Sequence, residues 1–330
     1  MIISRTPLRI SFAGGGSDLR AFYAHEPGAV LSTTIDKYIY ITVNPKFDRQ
    51  IRASYAITEI VDHVADLQHE LIREGLRVVG IDGGIEITSI SDVPSRGTGL
   101  GSSSSYTVGL LHALYAHKGR YVGAARLASE ACAIEIERCA KPIGKQDQYI
   151  AAFGGLQLIQ FNPDESVFVN PIVCRADTKR RLEQRLLLLY TGLARSADDL
   201  LAEQQSNTSQ AKTRDALRSM TRLAFDLRTA LCADDVDSFG EMLHEGWLLK
   251  RGLASGITSS VIDDWYAAAR RVGARGGKLL GAGGGGFLLL DAPPDQHAAI
   301  CAALPQLRPV PFGFEPQGSK IIYVEEGRDR

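Results

Sequence analysis

Apolar and polar positions divide the chain into a strand-rich beginning and a helix-rich end. Leu8-Arg-Ile-Ser-Phe-Ala13 alternates as a half-buried strand does, within a segment that starts at Ile2 and stops at Gly14-Gly-Gly-Ser-Asp18. Ser17 or Asp18 can cap a short amphipathic helix over Leu19 to His25. Ala29 to Ile35 and Tyr38 to Val43, rich in β-branched and aromatic residues, predict a sheet, with a weaker third strand over Arg49 to Tyr55. Val61, Val64, Leu67, Leu71 and Ile72 share one helical face, which predicts a helix from Val61 to Glu74 ended by Gly75. Strand Gly84 to Ile90 follows, then helices at about Ser103 to His117 and Val122 to Cys139, a polar turn over Pro142 to Tyr149, and strand Gly155 to Phe161.

The polar stretch Pro163 to Asp177 carries two prolines and predicts the joint between two halves, 1–170 and 171–330. Beyond it, Arg185-Leu-Leu-Leu-Leu-Tyr190 is expected to be a buried strand. Helical patterns then run from Ala197 through Ala254 and from Ser259 to Val272. The apolar Leu288 to Asp291, a helix over Asp295 to Leu304 and a strand over Lys320 to Glu325 finish the chain.

Composition narrows the class. With 330 residues, 45% hydrophobic, 23% charged and a formal net charge of -1, the balance is that of a soluble globular enzyme and excludes a disordered or polyanion-binding chain. No nucleic-acid partner is expected. The N-terminus lacks the apolar core and cleavage site of a signal peptide, and no run reaches about 18 apolar residues, so the expectation is a cytoplasmic protein with no membrane partner. Five cysteines without a C-x-x-C are expected to be reduced thiols.

The candidate chemistry lies in three glycine clusters. Pro94-Ser-Arg-Gly-Thr-Gly-Leu-Gly-Ser-Ser-Ser-Ser105 runs from a strand into a helix, where glycines let a ligand approach the backbone and the helix start offers N–H groups to an anion. It is not a Walker loop, because Ser102 stands where the lysine of G-x-x-x-x-G-K-[ST] belongs. Gly14 to Gly16 are more glycines than a cap requires. Gly281 to Gly286 formally match G-x-G-x-x-G, yet an apolar strand rather than a helix follows, so the dinucleotide reading fails on context. Together the clusters predict one cleft for a phosphate-rich ligand.

These motifs, in this order, resemble those of the GHMP kinases, the superfamily named for galactokinase, homoserine kinase, mevalonate kinase and phosphomevalonate kinase. The resemblance rests on Pro7 to Asp18, Pro94 to Ser104 and Lys278 to Phe287, and spans nearly the whole chain. Within the superfamily, Gly14-Gly-Gly-Ser-Asp18 and Ile143-Gly-Lys-Gln-Asp-Gln-Tyr149 look most like the D-glycero-D-manno-heptose 7-phosphate kinases, while fucokinase-like sugar 1-kinases carry similar motifs. The resemblance implies a two-domain α+β fold, with a ribosomal S5 domain 2-like N-terminal half, a ferredoxin-like α/β sandwich as C-terminal half, and the active site between them. It implies ATP and Mg²⁺ as cofactors and a sugar phosphate as substrate.

Site roles are carried over residue by residue. Arg96, Gly97, Thr98, Gly99, Leu100, Gly101, Ser102, Ser103 and Ser104 would hold the ATP phosphates, with Ser102 and Glu135 at the metal. Two-residue spacing sends Glu135 and Glu137 to different faces, and the resemblance favours Glu135, since it implies a Mg²⁺-binding glutamate twelve residues before the aspartate that Asp147 matches. Asp147 matches the aspartate that orients or deprotonates the acceptor hydroxyl, and Arg9 the arginine beside it. Gly15, Gly16, Ser17 and Asp18 would shape the sugar pocket, with Gly283 and Gly284 closing the cleft. Arg195 is the first candidate for the acceptor's own phosphate and Arg20 the second. A non-catalytic sensor on the same fold would need neither Asp147 nor Glu135.

Overall fold

The computed structural model describes residues 1–94, 97–193 and 197–325. The chain opens with strand β1 (Ile2–Ala13), the one-turn helix α1 (Arg20–Tyr23) and the long strand β2 (Gly28–Pro45), then β3 (Ile51–Ser54), β4 (Thr58–Val61), α2 (Glu70–Val79) and β5 (Ile85–Ser91). Helices α3 (Ser102–His117), α4 (Ala124–Cys132) and α5 (Gln146–Phe153) follow, and β6 (Leu156–Phe161) and β7 (Val167–Pro171) end the first half. The second half runs α6 (Ala176–Arg185), β8 (Leu186–Tyr190), α7 (Ala197–Asn207), α8 (Ala211–Cys232), α9 (Phe239–Arg251), α10 (Ser260–Arg271), β9 (Gly276–Leu279), β10 (Phe287–Asp291), α11 (His297–Ala303), β11 (Arg308–Pro309) and β12 (Lys320–Val324).

Strand β2 organises the first sheet. It pairs antiparallel with β1 from Ile2↔Val43 to Ala13↔Leu31, while its other edge takes β5 along Ile39–Pro45 and β6 along Gly28–Thr33. The two strands expected over Ala29 to Val43 are therefore one. A bulge leaves Asp36 and Lys37 out of the β1 ladder, where the apolar alternation also breaks. The strand order is β12-β1-β2-β5-β3-β4, so the last strand of the chain, expected in the 171–330 half, completes the sheet of the first half. The second sheet is antiparallel, in the order β11-β8-β10-β9.

Helix α3 lies in the interior, and from Ser104 to Tyr115 only His112 is not buried. The helix expected over Val61 to Glu74 is displaced: β4 ends at Val61, and α2 starts at Glu70, runs through Gly75 and stops at Gly80. Gly75 is a packing residue, since a Cβ there would lie 3.0 Å from Leu110 on α3; the stop signal is Gly80, left-handed at φ 73°.

The two halves share an apolar core. Phe12 of β1 meets Phe239 of α9 edge to face at 5.2 Å, and one continuous cluster extends from β1, β2 and α3 to Leu223, Leu227 and Leu243 of the second half. Packing of that kind holds the cleft between the halves in one shape. Among the described residues no helix is long and apolar enough to cross a membrane.

Candidate active site

A cavity of about 1170 Å³ opens between the halves. Single small-molecule sites enclose about 300–1,000 Å³, so the cleft has room for two ligands side by side. Its wall takes Arg9 and Ser11 from β1, Gly15, Gly16 and Asp18 from the following loop, and the start of α3. Glu135, Asp147, and Lys250 and Lys278 from the second half complete it.

Glycine backbones join the halves at this wall. Gly99 is left-handed at φ 72°, and a Cβ on it would lie 2.5 Å from the Leu280 carbonyl oxygen; a Cβ on Gly281 would lie 2.3 Å from the Gly99 Cα. The second and third glycine clusters thus lie backbone on backbone, a contact open only to residues without side chains. Helix α3 begins just past them. Gly101 is its N-cap, with no side chain to occupy the first-turn N–H groups, and Gly97, Thr98, Gly99, Gly101, Ser102, Ser103 and Ser104 all face the cavity. Such a helix start is a ready anion site. Leu100 is buried away from it, and its carbonyl accepts from the Arg9 backbone N–H at 3.0 Å.

Arg9 ties this cradle to a carboxylate. Its Nε and Nη2 donate to the two oxygens of Asp147 at 2.6 and 2.7 Å, and its Nη1 donates to the Gly99 carbonyl at 2.5 Å. Asp147 sits in the first turn of α5 and keeps 22% of its side chain exposed, against 5% for Arg9. The pair is anchored on the arginine side and open on the carboxylate side. A carboxylate has about four lone-pair positions, and Arg9 uses two, so Asp147 can still accept a hydrogen bond from a ligand hydroxyl.

Glu135 is fully buried. Helix α4 continues as a π-helical turn over Ala133–Arg138, which directs Glu135 inward and leaves Glu137 exposed. Ser103 Oγ donates to one Glu135 oxygen at 2.5 Å and Gln148 Nε2 to the other at 2.7 Å. Burial lifts the carboxyl to about 7 against the opposing pull of these hydrogen bonds. Thr98 and Ser102 hydroxyls are hydrogen-bonded at 3.1 Å beside it. Among the described residues no group of three or more His, Cys, Asp or Glu could cage a metal. One carboxylate with neighbouring hydroxyls instead fits a hard cation that takes its remaining ligands from phosphate and water, as Mg²⁺ does.

Asp18 does not cap α1, whose N-cap is Leu19 without a side-chain bond. Its carboxylate accepts from the Gly16 N–H at 2.8 Å and from Gln146, and burial raises its pKa while the Gly16 bond opposes. Ser17 is a staple of the loop, donating to Gly14 and Ala29 carbonyls at 2.8 and 3.2 Å. Gly283 and Gly284 back onto Ile257, while Gly281 and Ala282 face the cavity. Arg20 is exposed and bound to Glu165, away from the cavity wall. Arg96 and Arg195 lie outside the described residues.

Sequence reasoning gave no role to Lys250 or Lys278. Lys250 occupies the apolar stripe of α9 formed by Phe239, Leu243 and Trp247, and a lysine on a buried stripe is a readable signal. Ser11 Oγ and Gln146 Oε1, on the same cavity wall, are buried without a hydrogen-bond partner among the described residues.

The family described as GHMP kinases N terminal domain matches residues 60–155, and that described as GHMP kinases C terminal matches residues 227–307. The chain is 29% identical over 301 residues to a D-glycero-alpha-D-manno-heptose 7-phosphate kinase of Campylobacter jejuni, covering 85% of this chain and 86% of that one. It is 25% identical to a bifunctional fucokinase/GDP-fucose pyrophosphorylase of Arabidopsis thaliana, covering 82% of this chain and 28% of that one. A crystal structure of a D-glycero-D-manno-heptose 1-phosphate kinase from Bacteroides thetaiotaomicron superposes with a TM-score of 0.82 at 26% identity, covering 99% of this chain and 100% of that one.

Proposed function

Since the chain belongs to the GHMP kinases and is a sugar kinase, a phosphotransferase acting on a sugar hydroxyl, we propose that it uses ATP to phosphorylate the anomeric O1 of D-glycero-D-manno-heptose 7-phosphate. The product would be the 1,7-bisphosphate, for nucleotide-heptose and surface polysaccharide synthesis in the cytoplasm. The Arg9–Asp147 pair carries the mechanistic part of this reading, because it joins a partly exposed carboxylate to an anion cradle through one buried guanidinium. The heptose phosphate kinase relatives support the acceptor.

Phosphoryl transfer is chiefly positioning and charge neutralisation. Asp147 orients the acceptor hydroxyl and takes its proton as the hydroxyl oxygen bonds to the γ-phosphorus. The bond from that phosphorus to the ADP oxygen breaks, and its electron pair stays on ADP. Arg96, Gly97, Thr98, Gly99 and Gly101 to Ser104 would hold the nucleotide phosphates on the N–H groups at the start of α3, with Leu100 packed behind them. Ser102 and Glu135 would hold Mg²⁺, which when bound neutralises phosphate charge. Asp18, fixed by Gly16 and Gln146, would accept from sugar hydroxyls, with Gly15 and Gly16 leaving room for the ring. Arg195 is proposed for the 7-phosphate on its place in the sequence.

The fucokinase relative supports a second reading, an unphosphorylated sugar as acceptor. Coupled ADP release with ATP and Mg²⁺, comparing mannoheptose 7-phosphate with fucose, mannose and galactose, separates the two. Turnover on the heptose phosphate alone is expected. Turnover mainly on fucose would replace the first reading with the second.

A further inference from the structure

Two lysines of the second half end in the cleft, and among the described residues neither is in an ion pair. Lys278 Nζ donates to the Ser11 and Phe12 carbonyls at 2.7 and 3.0 Å, beneath the first glycine cluster. Lys250 Nζ donates to the Leu279 carbonyl at 3.3 Å and to the Gly281 carbonyl. An ammonium has three donors, so Lys250 keeps one unused. Burying a cation without a counter-charge is costly, and a methionine would fill this stripe position of α9 without that cost. The charge calls for another explanation.

Its position supplies one. Gly281, whose carbonyl Lys250 holds, is the residue that packs on Gly99, and Gly99 in turn accepts from Arg9. Lys250 therefore stands at the seam between the cradle and the Arg9–Asp147 pair, facing Arg9 of β1, Asp147 of α5, Asp18 of the first loop and Lys278 of β9. The cradle approaches the cavity from the first half and Lys250 from the second.

Resting on the kinase reading above, we propose that Lys250 is a catalytic residue that donates a hydrogen bond to the phosphoryl group as it passes from nucleotide to acceptor. The acceptor oxygen bonds to the γ-phosphorus, the bond to the ADP oxygen breaks with its pair remaining on ADP, and the hydroxyl proton goes to Asp147. Lys250 acts in its protonated form and exchanges no bond; burial and then the neighbouring Arg9 lower its pKa to about 7, and phosphate charge in the cleft favours the ammonium. It contributes charge where charge spreads over the transferring oxygens, a kind of contact that acts on kcat more than on ground-state binding.

The test compares Lys250→Met and Lys250→Arg with the unaltered full chain, measuring kcat, the ATP Kd and the Tm. Lys250→Met is expected to lose about 100-fold or more in kcat, with the ATP Kd within about threefold. Its Tm should be equal or higher, because an apolar side chain replaces a buried cation. Lys250→Arg should recover at least about tenfold of that kcat. A Lys250→Met kcat within about threefold of the unaltered chain would overturn the proposal. So would a loss of kcat accompanied by a fallen Tm, with Lys250→Arg restoring both in parallel, which is the behaviour of a structural tie to Leu279 and Gly281. If Lys250→Met does not fold, Lys250→Gln takes its place with the same expectations. Failure of the heptose reading is distinguishable, because the comparison then runs on whichever sugar the unaltered chain phosphorylates.

Discussion

Replacing Arg9 by lysine should cripple turnover while leaving the fold intact. Arg9 makes three directed bonds, two to Asp147 at 2.6 and 2.7 Å and one to the Gly99 carbonyl at 2.5 Å, from a side chain only 5% exposed. A lysine keeps the charge but reaches one of these acceptors at a time and cannot reproduce the planar two-point grip. Charge-assisted hydrogen bonds contribute about 1.5–3 kcal/mol each, so loss of one of the Asp147 bonds with weakening of the other costs about 2–4 kcal/mol of orientation. At about 1.4 kcal/mol per tenfold, kcat should fall roughly 30- to 1000-fold. The ATP KM should stay within about threefold, because the α3 N–H groups are untouched. The assay is steady-state ADP release beside thermal melting. Arg9→Lys with kcat within about threefold of the unaltered protein would refute the claim that the bidentate grip positions Asp147.

Three further outcomes are expected. Glu135 has a folded pKa of about 7, raised from 4.5, so its contribution to stability is present below about 4.5 and is lost as pH rises through about 7. Metal-free protein should therefore show a Tm that declines between those values, and Glu135→Gln should flatten the decline by up to about 3 kcal/mol while raising the Mg²⁺ needed for half-maximal turnover. Arg185→Met removes the partner of the fully buried Asp291, bound at 2.7 and 3.1 Å, and should cost about 3–5 kcal/mol in urea unfolding while leaving kcat at low temperature unchanged. Gly99→Ala places a Cβ 2.5 Å from the Leu280 carbonyl at a left-handed φ, so it should part the two glycine loops and lower kcat by about 100-fold, read in the same coupled assay.

Much of the fold was legible because local pattern and tertiary role agree. The alternation in Leu8 to Ala13 and the β-branched run after Ala29 form the paired strands β1 and β2, and the Gly/Ser cluster opens α3 as expected. The helix over Val61 to Glu74 was misread because its apolar spacing spans a strand, a turn and a helix, and because Gly75 serves packing against Leu110 rather than termination. Spacing alone distinguished Glu135 from Glu137 only as opposite faces; the π turn that seats Glu135 beside Ser103 and Gln148 depends on neighbours remote in sequence. That Arg9 meets Asp147 across 138 residues came from resemblance, and no local period encodes such a pairing. The resemblance implies that Gly283 and Gly284 of the third cluster close the cleft. Gly281 and Gly286 pack on Gly99 and Thr98 and so join the halves, while Gly283 and Gly285 pack on Ile257 and Leu193 within the second half.

The most direct test of the central claim is ³¹P NMR of mannoheptose 7-phosphate incubated with ATP, Mg²⁺ and either the unaltered protein or Asp147→Asn. The account predicts a second, anomeric sugar phosphate signal appearing in step with ADP for the unaltered protein, and a rate at least about 1000-fold lower for Asp147→Asn with ATP still bound. A new phosphate at another hydroxyl would contradict the assigned position. An Asp147→Asn rate within about tenfold of the unaltered protein would contradict the assignment of the site.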